Sequence, residues 1–193
     1  MRSPKKGSFE HRLVAVDVDV GQLVRLSGFP ATEPWWGRLK RYRFDCPNGS
    51  FGTLYAGDSL ETAFAESVIH EDALFVDQSY VLEESDLTRR QVVLYTAVRP
   101  ALHLADLTGA GLKALGLNND ISSGNDYKMT QRWAAAIHAA STKWDGIRYV
   151  SRQNNQQHAF AVFERSGLAK GSVRALNLTE QAALCDLFNI NLV

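Results

Sequence analysis

Apolar and polar residues alternate over positions 22–27, which predicts a β-strand. Segment 28–50 then loses all periodicity and is rich in proline, glycine and aromatic residues, so a long ordered loop is expected there. A short strand follows at 53–56, then a helix over 59–70 with Asp58 as its expected N-cap and Glu61 three residues on in capping-box position. Apolar runs at 91–98 and 101–105 read as buried strands, with a bend or edge at Pro100 between them. A short helix at 109–115 should stop at Gly116, and a polar loop spans 118–126. Over 129–141, Met129, Trp133, Ala136, Ile137 and Ala140 recur on one helical face, which is expected to be core. Strands at 147–151 and 159–163 flank a polar loop at 152–157, and a last helix covers 179–188. This order of elements is that of a mixed α+β domain.

Length and composition add limits rather than chemistry. A chain of 193 residues, 45% of them apolar, suits one domain with a real core and is short for two. No repeat or linker divides it, so residues 13–193 are expected to form a single domain behind a flexible tail, 1–12. Basic and acidic residues cancel at 21 each, so no global charge draws the chain to nucleic acid or to an anionic membrane. No segment approaches the roughly 18 consecutive apolar residues of a membrane helix. Two cysteines, Cys46 and Cys185, are too few for a disulfide framework, which fits a reducing, cytoplasmic setting.

Candidate chemistry is concentrated in the first third. Arg43, Tyr55 and Glu66 put a cation, an aromatic ring and a carboxylate on consecutive elements: loop, strand and helix. At about 100° per residue, Leu60, Ala63, Phe64, Ser67 and Val68 take the buried face of the 59–70 helix and Glu66 its flank, where a helix borders a cleft. On composition alone the plainer reading of Glu66 is stronger: an exposed pair with His70 one turn on, worth roughly 0.2–0.5 kcal/mol.

The wider pattern comprises Val24-Arg25-Leu26, Tyr42-Arg43-Phe44-Asp45, Leu54-Tyr55-Ala56, Ala63 with Glu66, and Tyr149-Val150-Ser151-Arg152. Thr130-Gln131, Trp133-Ala134 and Asp145-Gly146-Ile147 lie between the last two. In order and spacing this resembles the RES-domain toxins of bacterial toxin–antitoxin modules, over about Leu23 to Glu164. One departure is Tyr42, where the family usually has glycine before the loop arginine. The resemblance implies a fold related to the diphtheria-toxin-like ADP-ribosyltransferases, with a split mixed β-sheet flanked by helices. It also implies breakdown of NAD at the nicotinamide–ribose bond.

That reaction explains the residue types. Loss of nicotinamide leaves positive charge on the ribose, which a carboxylate stabilises more in the transition state than in the ground state; Glu66 is assigned that role. Tyr55 is assigned to stack on nicotinamide, and Arg43, with Arg25 behind it, to meet the pyrophosphate with planar donors. Ser151 would offer a hydroxyl to the ligand or to Glu66. The plainer readings are a core tyrosine for Tyr55, a structural bridge from Arg25 to Asp17 or Asp19, and a turn cap for Ser151.

The resemblance further implies a helix-turn-helix antitoxin as partner and an acceptor for ADP-ribose. In the family the acceptor is water, phosphate or a protein, an enzyme of nucleotide synthesis among the known targets. Trp35 and Trp36, expected to be exposed in the long loop, tilt the expectation toward a protein.

Other signals are weaker. Gly109-Ala110-Gly111-Leu112-Lys113-Ala114 fits a dinucleotide fingerprint but lacks repeated βαβ units around it. Arg38, Lys40, Arg41 and Arg43, interleaved with Trp35, Trp36, Tyr42 and Phe44, give a non-catalytic alternative, a module that binds RNA or a protein partner. A neutral chain with one short basic loop argues against direct nucleic-acid binding. The five histidines show no metal-ligand spacing, so no metal is implied.

Overall fold

The computed structural model describes residues 1–193. Its strands are β1 (Ala15–Asp19), β2 (Val24–Ser27), β3 (Thr53–Gly57), β4 (Leu74–Val76), β5 (Ser79–Leu82), β6 (Gln91–Thr96), β7 (Ala101–Leu107), β8 (Gly146–Val150), β9 (His158–Phe163), β10 (Ala169–Ala175) and β11 (Ile190–Leu192). The helices are α1 (Leu60–Phe64), α2 (Glu84–Thr88), α3 (Gly109–Ala114), α4 (Asp120–Ser123), α5 (Tyr127–Ala140) and α6 (Leu178–Phe188). This is the expected α+β class.

Eight strands form one mixed sheet in the order β1-β7-β8-β9-β3-β2-β6-β10, in which only β7 and β8 run parallel. β9 lies inside it, and Ala159 to Phe163 are all buried because helices and loops cover both faces, which is why this strand reads as a continuous apolar run. A small second sheet, β11-β5-β4, stands apart.

The sheet splits between β3 and β2. Five registered pairs join β3 to β9, but a single one, Val24 opposite Gly57, joins it to β2. Beyond that point the strands diverge; Gly37 bridges Thr53 at the start of β3, and between these two pairings the edge of β3 faces a gap. Around the gap the core divides into blocks: Phe44, Trp133, Tyr149 and Phe163 in one, Leu54, Leu104 and Phe160 in another, and Leu26, Phe64 and Leu184 in a third.

Several local expectations are corrected. Ser59, not Asp58, is the N-cap of α1, its hydroxyl accepting from Thr62 N at 3.1 Å. The Asp58 carboxylate instead accepts from Thr62 Oγ1 and from His158 N, which ties the helix start to β9. The expected 59–70 helix also widens after Phe64 into a π-helical turn, Ala65–Ile69, in which His70 N donates to Ala65 O. In α5 the buried residues are Thr130, Gln131, Trp133, Ala134 and Ile137, so the core face is rotated from the apolar stripe toward two polar residues. The 118–126 loop contains α4.

Strands β1 and β10 went unpredicted because they are edges: β10 is exposed at every position and β1 at three of its five, so neither carries an alternating pattern. The hairpin β4–β5 turns at Asp77 and Gln78, both with positive φ, without a glycine to announce it. In segment 1–12, Phe9 is buried edge-on against Trp133, whose Nε1 donates to Arg2 O at 2.9 Å.

Candidate active site

The gap between β3 and β2 is where Arg25 sits. Its Nη1 donates to Tyr55 O at 2.7 Å, satisfying a carbonyl of β3 that a paired strand would otherwise take. Its Nε donates to Glu33 Oε1 at 2.8 Å. Glu33 is buried and also accepts from Trp35 N and Tyr95 Oη, each at 2.9 Å. Burial pushes its carboxyl up, but the Arg25 charge and these hydrogen bonds hold it below the usual range. Arg25 thus bridges to Glu33 rather than to Asp17 or Asp19.

The split opens into a cavity of about 650 Å³, a size suited to a small-molecule ligand. Arg25, Arg43, Tyr55 and Glu66 all line it, and six arginines face four carboxylates around its wall. Ser151 does not line it; it is 1% exposed and lies behind Glu66.

Glu66 projects from the π-helical turn. Its Oε1 accepts from Ser151 Oγ at 2.6 Å and from Arg152 N at 2.9 Å, while Oε2 has no protein partner. Ser151 Oγ is itself oriented by accepting from Asn154 N at 3.0 Å. One oxygen therefore fixes the carboxylate and the other remains available. His70 faces Glu71 at 3.7 Å, so the Glu66–His70 pair of the plainer reading does not form.

Tyr55 is held by the loop before it. Its hydroxyl accepts from Phe44 N at 2.8 Å and donates to Asp45 Oδ1 at 3.0 Å. Burial, then the Asp45 charge, push this phenol well above its usual range, so it stays protonated and offers the cavity its ring rather than an acid or base. The Tyr42 ring meets it edge-on at 5.7 Å. Asp45 is fully buried, and its Oδ2 accepts from Arg41 N and Tyr42 N at 2.9 and 3.0 Å. The left-handed turn of this loop falls on Lys40, with φ of 61°, so Tyr42 needs no glycine conformation.

Arg43 is 7% exposed and has no carboxylate partner. Its Nη1 donates to Gly124 O at 2.8 Å and its guanidinium lies 4.7 Å over the Tyr127 ring. Burial pulls its pKa down from the usual value, yet a guanidinium stays cationic. Helix α5 pins the backbone of this loop: Thr130 Oγ1 donates to Arg43 O, and Gln131 Nε2 donates to Lys40 O and Tyr42 O, both at 3.0 Å. That is why the buried face of α5 is rotated toward polar residues.

Sequence reasoning gave Asp45 and Tyr127 no role, and it weighed Arg152, with Arg148, only as an addition to the phosphate site. Arg152 directly follows Ser151, lines the cavity and forms no ion pair. Tyr127 lies two residues ahead of the predicted helix, which hid it. Of the loop tryptophans, Trp35 is 39% exposed and lines the cavity, whereas Trp36 is half-buried against the core. Arg38 pairs with Glu164. The stretch with the dinucleotide fingerprint forms α3, and none of it lines the cavity. No group of three or more His, Cys, Asp or Glu is placed to hold a metal ion, and no helix is long and apolar enough to cross a membrane. Both cysteines are free.

Comparison with known proteins bears on this site. The family model described as RES domain matches residues 11–180. Among solved structures, a chain from the M. tuberculosis MbcT–MbcA toxin–antitoxin complex superposes with a TM-score of 0.64 and 16% identity over 94% of each chain, a likeness of fold. No curated protein matches in sequence.

Proposed function

This chain belongs to the RES domain family, and from that membership we propose that it is the toxin of a toxin–antitoxin module, cleaving the nicotinamide–ribose bond of NAD and passing ADP-ribose to a protein acceptor. The observation that carries this reading is Glu66: a carboxylate anchored through one oxygen by Ser151 Oγ and Arg152 N, in a cavity shared with Tyr55 and Arg43.

In the proposed reaction the C1′–N bond breaks and its electron pair passes to the nicotinamide ring, neutralising the ring's positive charge. The ribose acquires that charge. Glu66, already fixed and partly desolvated, stabilises it without reorganising. Tyr55 supplies a flat ring and Arg43 a cation free of carboxylates for the pyrophosphate. Arg25 contributes mainly by shaping the wall, since Glu33 and Tyr55 O occupy its Nε and Nη1. Ser151 acts through Glu66. The acceptor's lone pair then bonds to C1′ and its proton leaves to solvent.

Phe29 and Trp35 support a protein acceptor: both line the cavity, at 74% and 39% exposure, and give its mouth an apolar rim on which a polypeptide can dock. Arg152 favours a second reading, in which phosphate or water is the acceptor and NAD is simply depleted. Arg152 is exposed, lines the cavity without a carboxylate partner, and is tied to Glu66 through its backbone N, which suits its side chain to an incoming phosphate. The remaining parts of the proposal are a helix-turn-helix antitoxin that covers the cavity mouth, a cytoplasmic site of action, and a catalytic domain spanning 13–193.

Mass spectrometry of the products tests the acceptor. NAD incubated with the protein and cell lysate should yield nicotinamide and an ADP-ribose adduct on one protein. Formation of ADP-ribose phosphate in phosphate buffer, with no protein adduct, would replace this reading with the second.

A further inference from the structure

One buried phenol in the cavity has no partner. Tyr149, in β8, is 3% exposed, and its ring packs on Phe44 with 4.8 Å between centroids. It nevertheless lines the cavity, and no protein group pairs with its hydroxyl. Nor is that hydroxyl sealed in the core, so it opens into the cavity. By contrast, Tyr55 Oη bonds to Phe44 N and Asp45, and the Oη of buried Tyr95 donates to Glu33. Buried polar groups nearly always find a partner, so an exception that faces a ligand cavity points to the ligand.

The strand fixes where this hydroxyl stands. Side chains two apart share a face, so Tyr149 lies on the same side as Ser151, whose hydroxyl reaches Glu66. On its other flank the Phe44 ring it touches follows Arg43 directly in the chain. The phenol thus lies between the carboxylate assigned to the nicotinamide ribose and the cation assigned to the pyrophosphate. Both charges act on it: burial first, then Glu66, push it well above its usual range, and Arg43 opposes them. It therefore keeps its proton and serves as a donor, not as a base.

A ligand that enters here displaces water from the hydroxyl and must supply an acceptor in return. Ribose hydroxyls and phosphate oxygens do so, whereas an apolar group leaves the donor unpaired.

We infer that the Tyr149 hydroxyl donates to the ribose–phosphate segment of the dinucleotide, between Glu66 and Arg43, and is a substrate-binding group of this site. This rests on the nicotinamide-cleaving reading of the same cavity, in which Glu66 meets the ribose and Arg43 the pyrophosphate.

Calorimetry with ADP-ribose and kinetics with NAD test it on the full chain, comparing wild type with Tyr149→Phe, which removes the hydroxyl and keeps the ring on Phe44. The variant should bind ADP-ribose about tenfold more weakly, and its kcat/KM for nicotinamide release should fall by about the same factor. Inhibition by free nicotinamide, which lacks ribose and phosphate, should be unchanged. Tm should not fall either, because no protein group loses a partner. Equal ADP-ribose affinity in the two proteins overturns the inference. So does a lower Tm, or an equal loss of affinity for nicotinamide, since either would give the hydroxyl a structural role. Cleavage of NAD by a variant indistinguishable from the wild type sinks the contact and leaves the cleavage reading standing. Binding of ADP-ribose that needs the hydroxyl, in a protein that releases no nicotinamide, keeps the contact and sinks the cleavage reading instead.

Discussion

Ser151 Oγ donates to Glu66 Oε1 at 2.6 Å across 85 positions of the chain, joining the loop after β8 to the π-helical turn after α1. The hydroxyl is buried, so its influence on chemistry in the cavity passes through the carboxylate. A hydrogen bond to a charged group is worth about 1.5–3 kcal/mol. Ser151→Ala should therefore lower kcat for nicotinamide release about 10- to 100-fold while KM changes little, and steady-state kinetics checks this. A rise in KM at constant kcat would place Ser151 on the ligand instead.

Asp45 organises the other side of the site. It receives Arg41 N, Tyr42 N and the Tyr55 hydroxyl on one fully buried carboxylate. Asp45→Ala leaves three donors unsatisfied, at roughly 1–3 kcal/mol for each one that water cannot reach. A fall in thermal stability together with a raised KM is expected, with kcat less affected because Glu66 is held independently. Equal stability of variant and wild type would mean that water replaces the carboxylate.

Arg43 should act chiefly in binding. Arg43→Ala removes a buried cavity-lining cation that no carboxylate pairs, so KM for the dinucleotide should rise about tenfold or more and kcat should change less. Kinetics showing the reverse would exchange the roles given to Arg43 and Glu66. Circular dichroism accompanies the assay because Arg43 also anchors Gly124 O.

How far the site was legible from the sequence differs from residue to residue. Arg43, Tyr55 and Glu66 could be found because their residue types sit in short motifs on adjacent elements, and the cavity brings them together. The partner of Arg25 could not: Glu33 lies in a segment without periodicity, and only the divergence of β2 from β3 creates the need for a side chain to satisfy Tyr55 O. The face of α5 was misplaced for a related reason. Thr130 and Gln131 are buried to bond loop carbonyls, a tertiary demand that an apolar stripe does not record. The inner strands β3 and β9 were readable from their apolar runs, whereas the exposed edge β10 carried no such pattern.

His138 makes stability depend on pH. It stacks on Phe51 at 3.9 Å, and burial, reinforced by Arg165, lowers its pKa from 6.5 to about 4. Between those values the unfolded chain binds a proton that the folded chain refuses. Its contribution to stability is therefore complete above pH 6.5 and is lost as pH falls toward about 4. His138→Phe, which keeps a stacking ring, should show a smaller loss of Tm over that interval than the wild type. Parallel Tm–pH curves would contradict the assignment.

Glu66 is proposed to drive cleavage of the nicotinamide–ribose bond, and this is tested by nicotinamide release from NAD by wild type and by Glu66→Gln, with folding checked and nucleotide binding measured by calorimetry. The wild type should release nicotinamide, and the variant should bind the dinucleotide with similar affinity yet release nicotinamide at least about 100-fold more slowly, the scale on which removal of one preorganised electrostatic contact acts. Release by the variant at the wild-type rate would contradict the account, as would a wild type that, with phosphate and lysate acceptors present, releases none.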